Sequence, residues 1–365
     1  MKYPEPIKVG ERFMCPVCKQ KDYKDRSGYR YHYKSEHLNK SEIKEESKGL
    51  MESCREIADM VLKELPKRTS FSPKVSKTKE NLKPETWVLL LSDSQFGLDF
   101  KSNEVGGMSE YSPEIFKERL QFLAERIVRI KDYHPNPPTE LVIPMLGDMV
   151  DGSVLRGNHP GAVRFGVVKQ TIEVVELLTE FLIFLSRHFS NIKCFGVYGN
   201  HGRLTRKPND ASPADNFDLL TYHIIKERIR GIDNISMEYA EAQHMIVQIA
   251  DHKFWLEHGE TVRSWMGIPF YGAKREKASI QELMGLFGEK IDYVLLGHHH
   301  QVAKFANIYL NGSFTGGDTY SIGRLRAMGI PSQVLLSVNH KYGVVWDREI
   351  KLVEDVKSTK IKIYQ

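Results

Sequence analysis

Long apolar runs are missing from this 365-residue chain; nothing in it approaches the ~20 consecutive residues that a membrane-spanning helix requires. No early segment joins a basic start to an apolar stretch, so no secretory leader is expected and the chain reads as cytoplasmic. Cysteine is scarce. Cys15, Cys18, Cys54 and Cys194 are the whole complement, too few and too unevenly spaced for a disulfide framework and in keeping with a reducing compartment. Internal repeats are absent, and low complexity is confined to one linker. Net charge is small, +5, but unevenly spread: residues 1–86 carry 20 Lys or Arg against 14 Asp or Glu, and the remainder 32 against 33. That asymmetry predicts a basic appendage that meets a polyanion, followed by a near-neutral body.

What is present begins with Cys15-x2-Cys18, thirteen residues, and then His32-x4-His37. Two thiolates and two imidazoles at this spacing suit tetrahedral zinc, whose binding free energy can fold a segment too small to build its own core. The segment resembles the two-cysteine, two-histidine zinc finger family, with Tyr23 and Tyr29 at the usual apolar core positions and one extra residue between Cys18 and His32. The expected organisation is a zinc finger over 1–40 and a charged helix and linker over 41–86. A catalytic domain over 87–352 and a tail over 353–365 follow. Met51, Ile57, Met60, Val61 and Leu65 recur at helical spacing, and 66–84 is rich in Lys, Ser, Thr and Pro. A protein partner is expected to dock through the finger or the 41–65 helix.

From Trp87 strands and helices alternate. Strands are predicted at Trp87–Leu91, Leu141–Leu146 and Ile192–Tyr198, and helices at Pro113–Lys131, Val167–Arg187 and Phe217–Ile229. Further strands are predicted at His244–Ile249, Lys253–Glu257, Ile291–Leu296, Phe305–Leu310, Gln333–Val338 and Gly343–Ile350. The alternation predicts an α/β domain; the strand-rich later part predicts a second, partly antiparallel sheet.

Five segments close these strands: Ser92-Asp93-Ser94-Gln95, Gly147-Asp148-Met149-Val150-Asp151, Gly199-Asn200-His201, His258-Gly259-Glu260 and Gly297-His298-His299-His300. Ligands of open α/β sheets gather beyond the carboxyl ends of strands. In this order the segments resemble the calcineurin-like metallophosphoesterase superfamily, whose pattern is D-x-H, G-D-x-x-D, G-N-H-D/E, a lone His, then G-H-x-H. The resemblance implies a four-layer α/β/β/α sandwich of two mixed sheets and a centre for two divalent metal ions. Asp148 would bridge the pair, with Asp93, Gln95 and His300 completing one site and Asn200, His258 and His298 the other. Asp151 would support them from outside, and His201 would stabilise the transition state or protonate the leaving oxygen. Two cations ~3.5–4 Å apart lower the pKa of a shared water and clamp both oxygens of an in-line displacement.

Two positions depart from the pattern: Gln95 replaces the D-x-H histidine, and Gly202 replaces the acid after G-N-H. A neutral amide oxygen favours Mn over Zn, with Mg and Fe also acceptable to such a set, and superfamily members resembling manganese-dependent ADP-ribose hydrolases also carry D-x-Q. Asp210 or Asp215 is expected to orient His201 in place of the missing acid. Arg156, Arg203 and Arg206 beside the site suit a polyanionic substrate. With the basic finger, this predicts a nucleic-acid phosphodiesterase, DNA favoured, resembling SbcD-type repair exonucleases in its catalytic domain. The competing readings are a nucleotide or other small-molecule phosphodiesterase or phosphatase, and a catalytically weak, finger-bearing adaptor that binds nucleic acid or protein.

Overall fold

The computed structural model describes residues 4–19, 22–37, 49, 52–60, 63, 84–154, 163–205, 212, 214–263, 269–325 and 328–353. The chain divides into two compact units, Met1–Lys79 and Glu80–Gln365. Residues 66–83 of the expected 66–84 linker, most of the expected 41–65 helix and 354–365 of the expected tail lie outside the described residues; within that helix, 49, 52–60 and 63 are helical.

The first unit is a three-stranded antiparallel sheet, β1 (Ile7–Val9), β2 (Arg12–Met14) and β3 (Asp22–Tyr23), followed by α1 (Arg26–Glu36). Asp25 caps α1 by accepting from the Gly28 N–H at 2.7 Å, which satisfies one of the donors a helix start leaves unpaired. Tyr29 is buried and its hydroxyl donates to the Pro4 carbonyl at 2.6 Å.

The second unit runs β4 (Thr86–Leu89), α2 (Pro113–Asp132), β5 (Glu140–Met145), α3 (Val167–Ser186), β6 (Asn191–Gly196), α4 (Phe217–Arg228), β7 (Ile235–Tyr239), β8 (His244–Ile249) and β9 (His252–Glu257). It continues with α5 (Phe270–Gly285), β10 (Tyr293–Leu296), β11 (Ala303–Phe305), β12 (Ile308–Leu310), β13 (Ser332–Asn339) and β14 (Gly343–Lys351). One sheet has the order β14-β13-β4-β5-β6-β7 and the other β11-β12-β10-β9-β8. Strands β4 to β7 are mutually parallel, as are β9, β10 and β12.

Side chains alternate across a strand, so a strand buried on both faces feeds two cores. Trp87 and Leu89 of β4 pack with Phe116, Leu120 and Leu123 of α2 and Leu178 and Leu182 of α3. Val88 and Leu90 face the other way, onto Phe254, Leu256 and Leu295 of the second sheet. A third cluster joins Trp255, Val294 and Leu296 to Ala273 and Ile280 of α5. Three apolar cores therefore separate four layers, α/β/β/α, the architecture expected from the sequence.

Some elements differ from expectation. β13 and β14 return to the first sheet beside β4, because long-range pairing outweighs their position among the later strands. The expected strand Phe305–Leu310 is a hairpin: Phe305 pairs with Ile308 and Ala306 takes φ 53, a turn with no glycine to announce it. α5 buries only Ala273 and Ile280, too thin an apolar stripe to read, and edge strand β7 was likewise not anticipated. No helix among the described residues is long and apolar enough to cross a membrane.

Candidate metal centre

The parallel strands bring their carboxyl ends to common edges, and all five donor segments leave from those ends. Asp93, Gln95, Asp148, His298 and His300 take φ of 55, 39, 57, 66 and 56°. Among the described residues only Lys19, Ala250 and Ala306 join them as non-glycines in the left-handed region. Such backbone is disfavoured and persists where surrounding structure over-determines it, typically at functional sites. Gly199 is required here: a Cβ would stand 2.1 Å from Asp148 Oδ1.

One half of the centre is Asp148, Asn200, His258 and His298. His258 Nε2 lies 2.9 Å from Asn200 Oδ1, 3.1 Å from Asp148 Oδ2 and 3.2 Å from His298 Nδ1. Adjacent donors ~2.1 Å from one octahedral ion stand about 3.0 Å apart, so these spacings suit a shared cation. His258 Nδ1–H donates to the Leu146 carbonyl at 2.7 Å. A neutral ring would therefore turn its Nε2 lone pair onto two oxygens. A positive charge must sit at that point, as a proton or as a metal ion. Without metal it is the proton: burial opposes an imidazolium, yet Asp148 lifts the His258 pKa to about 9. Burial also pushes the Asp148 carboxyl upward, but His258 and His201 hold it well below the usual carboxylate range. His298 stays neutral, pushed down by burial and by His258. Buried Asp148 Oδ2 faces His258 Nε2 at 3.1 Å and His201 Nε2 at 4.0 Å, a position where an oxygen can share a cation with the His258 ring. Asp148, His258 and His298 each offer a donor within 4.8 Å of the others.

The other half is Asp93, Gln95 and His300. His300 Nε2 is 3.2 Å from Asp93 Oδ1, and the Gln95 amide is 3.2 Å from His300 Nε2 and 3.3 Å from His201 Nε2. Gln95 Oε1 is buried without a partner; a half-turn of the amide, which exchanges its two ends, sets that oxygen beside His300, as a shared ion requires. Ser92 Oγ donates to Asp93 Oδ2 at 2.5 Å, and the His298 N–H donates at 3.1 Å. Asn311 donates to Ser92 Oγ at 2.9 Å and to Gln333 Oε1 at 2.8 Å. This buried prop of Asp93 carries no sequence signature.

His201 stands over both halves. Its N–H donates to Asp148 Oδ1 at 2.8 Å, and its ring Nδ1 is 3.0 Å from the Asp151 carbonyl and 3.3 Å from Asp151 Oδ1. The orienting partner is thus Asp151. Asp215 is exposed, and Asp210 lies outside the described residues. Gly202 has no room for an acid, since a Cβ would meet Asn216 Oδ1 at 2.3 Å. Arg203 is tied to Glu260; burial lowers its pKa, which Asp148 and Tyr198 oppose. Arg156 and Arg206 lie outside the described residues. One residue went unread in the sequence: Asp218, fully buried in the first turn of α4. It accepts from the backbone of Asp148, Met149 and Gly199 at 2.8, 2.9 and 2.8 Å, and burial followed by Asp148 raises its pKa to about 6.

In the first unit Cys15, Cys18, His32 and His37 offer donors all within 4.8 Å of one another. Cys18 Sγ is 3.3 Å and His37 Nε2 3.2 Å from His32 Nε2, against about 3.3 Å for two nitrogens bound tetrahedrally to one zinc. Lys19, at φ 53, closes the knuckle by donating to the Cys15 carbonyl at 3.0 Å.

No family model matches the chain. It is 24% identical over 225 residues to the SPbeta prophage-derived uncharacterized protein YonJ of Bacillus subtilis (strain 168), a match covering 60% of this chain and 51% of that protein. The chain therefore spans about half the length of the curated relative it matches. Among solved structures, it is similar to a dimetal phosphatase from Danio rerio at 10% identity and TM-score 0.36, covering 74% of this chain and 100% of that one. A single mutant of Vps29 from Entamoeba histolytica is 15% identical with TM-score 0.31, covering 73% of this chain and 99% of that one. At these identities and scores the functional reading rests on the chain's own geometry.

Proposed function

We propose that the chain is a metal-dependent phosphoesterase and, more finely, a Mn-dependent nucleic-acid phosphodiesterase with DNA as the favoured substrate. The observation that carries the reading is the convergence of Asp148, Asn200 and His298 donor atoms within 2.9–3.2 Å of His258 Nε2, with His201 alongside. Asp93, Gln95, Asp148 and His300 would hold one divalent ion and Asp148, Asn200, His258 and His298 the second; bound there, the pair acidifies water and offsets charge developing on a phosphoryl group. The amide oxygen of Gln95 favours Mn over Zn.

The protein's own part centres on His201. Asp151 fixes the ring through Nδ1–H and stabilises its imidazolium, leaving Nε2 to give a proton to the leaving oxygen. Arg203, on the loop that follows His201, would meet a polyanionic substrate only by sharing its guanidinium with Glu260. The finger reading agrees with sequence-independent grip. Fingers read bases from positions −1, 3 and 6 of their helix; here these are Asp25, occupied as the cap, Gly28, with no side chain, and Tyr31. Exposed Arg30 and Lys34, four apart, suit phosphate contacts that position without specifying. The prophage-derived relative supports a setting in a mobile element.

The test is hydrolysis of end-labelled single- and double-stranded DNA and RNA with added Mn, comparing wild type with Asp148→Asn. Cleavage by wild type alone is expected. Gln95 favours a second reading, a nucleotide or ADP-ribose phosphodiesterase: turnover of such a small molecule, unchanged by deleting residues 1–86, would replace the nucleic-acid assignment. Nucleic-acid binding without hydrolysis of either substrate would leave an adaptor.

A further inference from the structure

We propose that Asp218 is a positioning residue of the centre that binds no metal itself: its carboxylate clamps the Asp148 and Asn200 loops in register and supplies negative charge that the second dication needs. The inference rests on the two-metal reading above.

The clamp is explicit. Asp218 Oδ2 accepts at 2.8 Å from both the Asp148 and the Gly199 N–H, and Oδ1 accepts from the Met149 N–H at 2.9 Å. One carboxylate thus fastens the turn that carries the bridging aspartate to the turn that presents Asn200. Asn216 fastens the clamp in turn: its Oδ1 accepts from the Asp218 N–H at 2.8 Å and its Nδ2 donates to the Gly199 carbonyl at 2.9 Å. The first turn of α4 therefore grips the ends of β5 and β6 together.

The charge of Asp218 acts separately from the clamp. Asp93, Asp148, Asp151 and Asp218 are all 0% exposed; with Asp151 engaged by His201, the other three are the buried acids that remain to face two dications. Among the described residues no Lys, Arg or His forms an ion pair with Asp218. A buried charge without a partner is costly, whereas the same charge beside two dications offsets their mutual repulsion. Polar groups that hold ligands from behind are typically worth about 10–100-fold in metal affinity or activity.

The experiment is calorimetric titration of the full chain, its finger loaded with zinc, with Mn2+ alone, for wild type, Asp218→Asn and Asn216→Ala, each checked for an unchanged far-ultraviolet spectrum. Wild type is expected to take two Mn2+ ions. Asp218→Asn keeps the size but loses the charge and replaces one clamp acceptor by an amide NH2 that cannot accept, so its second binding step should weaken at least about tenfold. Asn216→Ala keeps the charge and loosens the clamp, so a smaller loss, about two- to fivefold, is expected on the same scale. Wild-type affinity in a folded Asp218→Asn overturns the proposal. Should that variant fail to fold, wild-type affinity in Asn216→Ala overturns the clamp. Failure of wild type to bind two Mn2+ ions overturns the two-metal reading itself, and the inference with it.

Discussion

The two candidate metal sites of this chain are built on opposite plans. In the amino-terminal unit four donors come from the short stretch between Cys15 and His37, and among the described residues Tyr29 is the one buried apolar side chain beside them. In the second unit the donors run from Asp93 to His300 and are delivered by five strand ends over three apolar cores. Where a core is too small to stand alone, the metal makes the structure. Where it is large, the structure makes the site, and can hold left-handed backbone and crowded buried charge in place before any metal arrives.

The sharpest way to break this contrast is to remove metal from both. A strong zinc chelator is expected to melt α1, since structural zinc is worth about 10–16 kcal/mol in such segments, while the second unit keeps its calorimetric transition; loss of both together would end the distinction. Next in size, His201→Ala should lower kcat by about 10²–10⁴-fold and leave Mn affinity intact by titration. Loss of both ions in that variant would instead make His201 a ligand. A smaller effect follows from pH. His258, lifted to about 9 without metal, must shed its proton to bind an ion. Apparent Mn affinity should therefore rise by up to about tenfold per pH unit to pH 9 and then level off. In the metal-free protein the same raised pKa stabilises below about 6.5, the ordinary value, and that stability is lost as pH rises through 9. Flat Mn affinity from pH 6 to 9 would remove His258 from the ligand set. The smallest change is expected from Gln95→His, which should shift selectivity several-fold towards Zn in a competition titration without altering the fold.

Helices α2, α3 and α4 are legible to within a residue or so because apolar residues recur along each at helical spacing. α5 and the β11–β12 hairpin are not, since one buries too little and the other turns on Ala306 without glycine. The candidate donors stand out in the sequence because Asp, Asn, Gln and His recur just beyond predicted strands in the order of a familiar motif set. Asp218, Asn311 and Gln333 do not: each is a single polar residue in an ordinary context, and only burial against a distant loop makes it part of the centre.

The sequence alone determined which residue types stand beyond the strand ends and the chain order of the strands that carry them, because these depend on residue type and local spacing. Only the tertiary structure decided that Asp151, rather than Asp215, holds His201, that β13 and β14 close the first sheet beside β4, and that the charge at His258 is set by Asp148. Each of those is a matter of distance and desolvation between segments far apart in the chain, and neither quantity is written in local spacing.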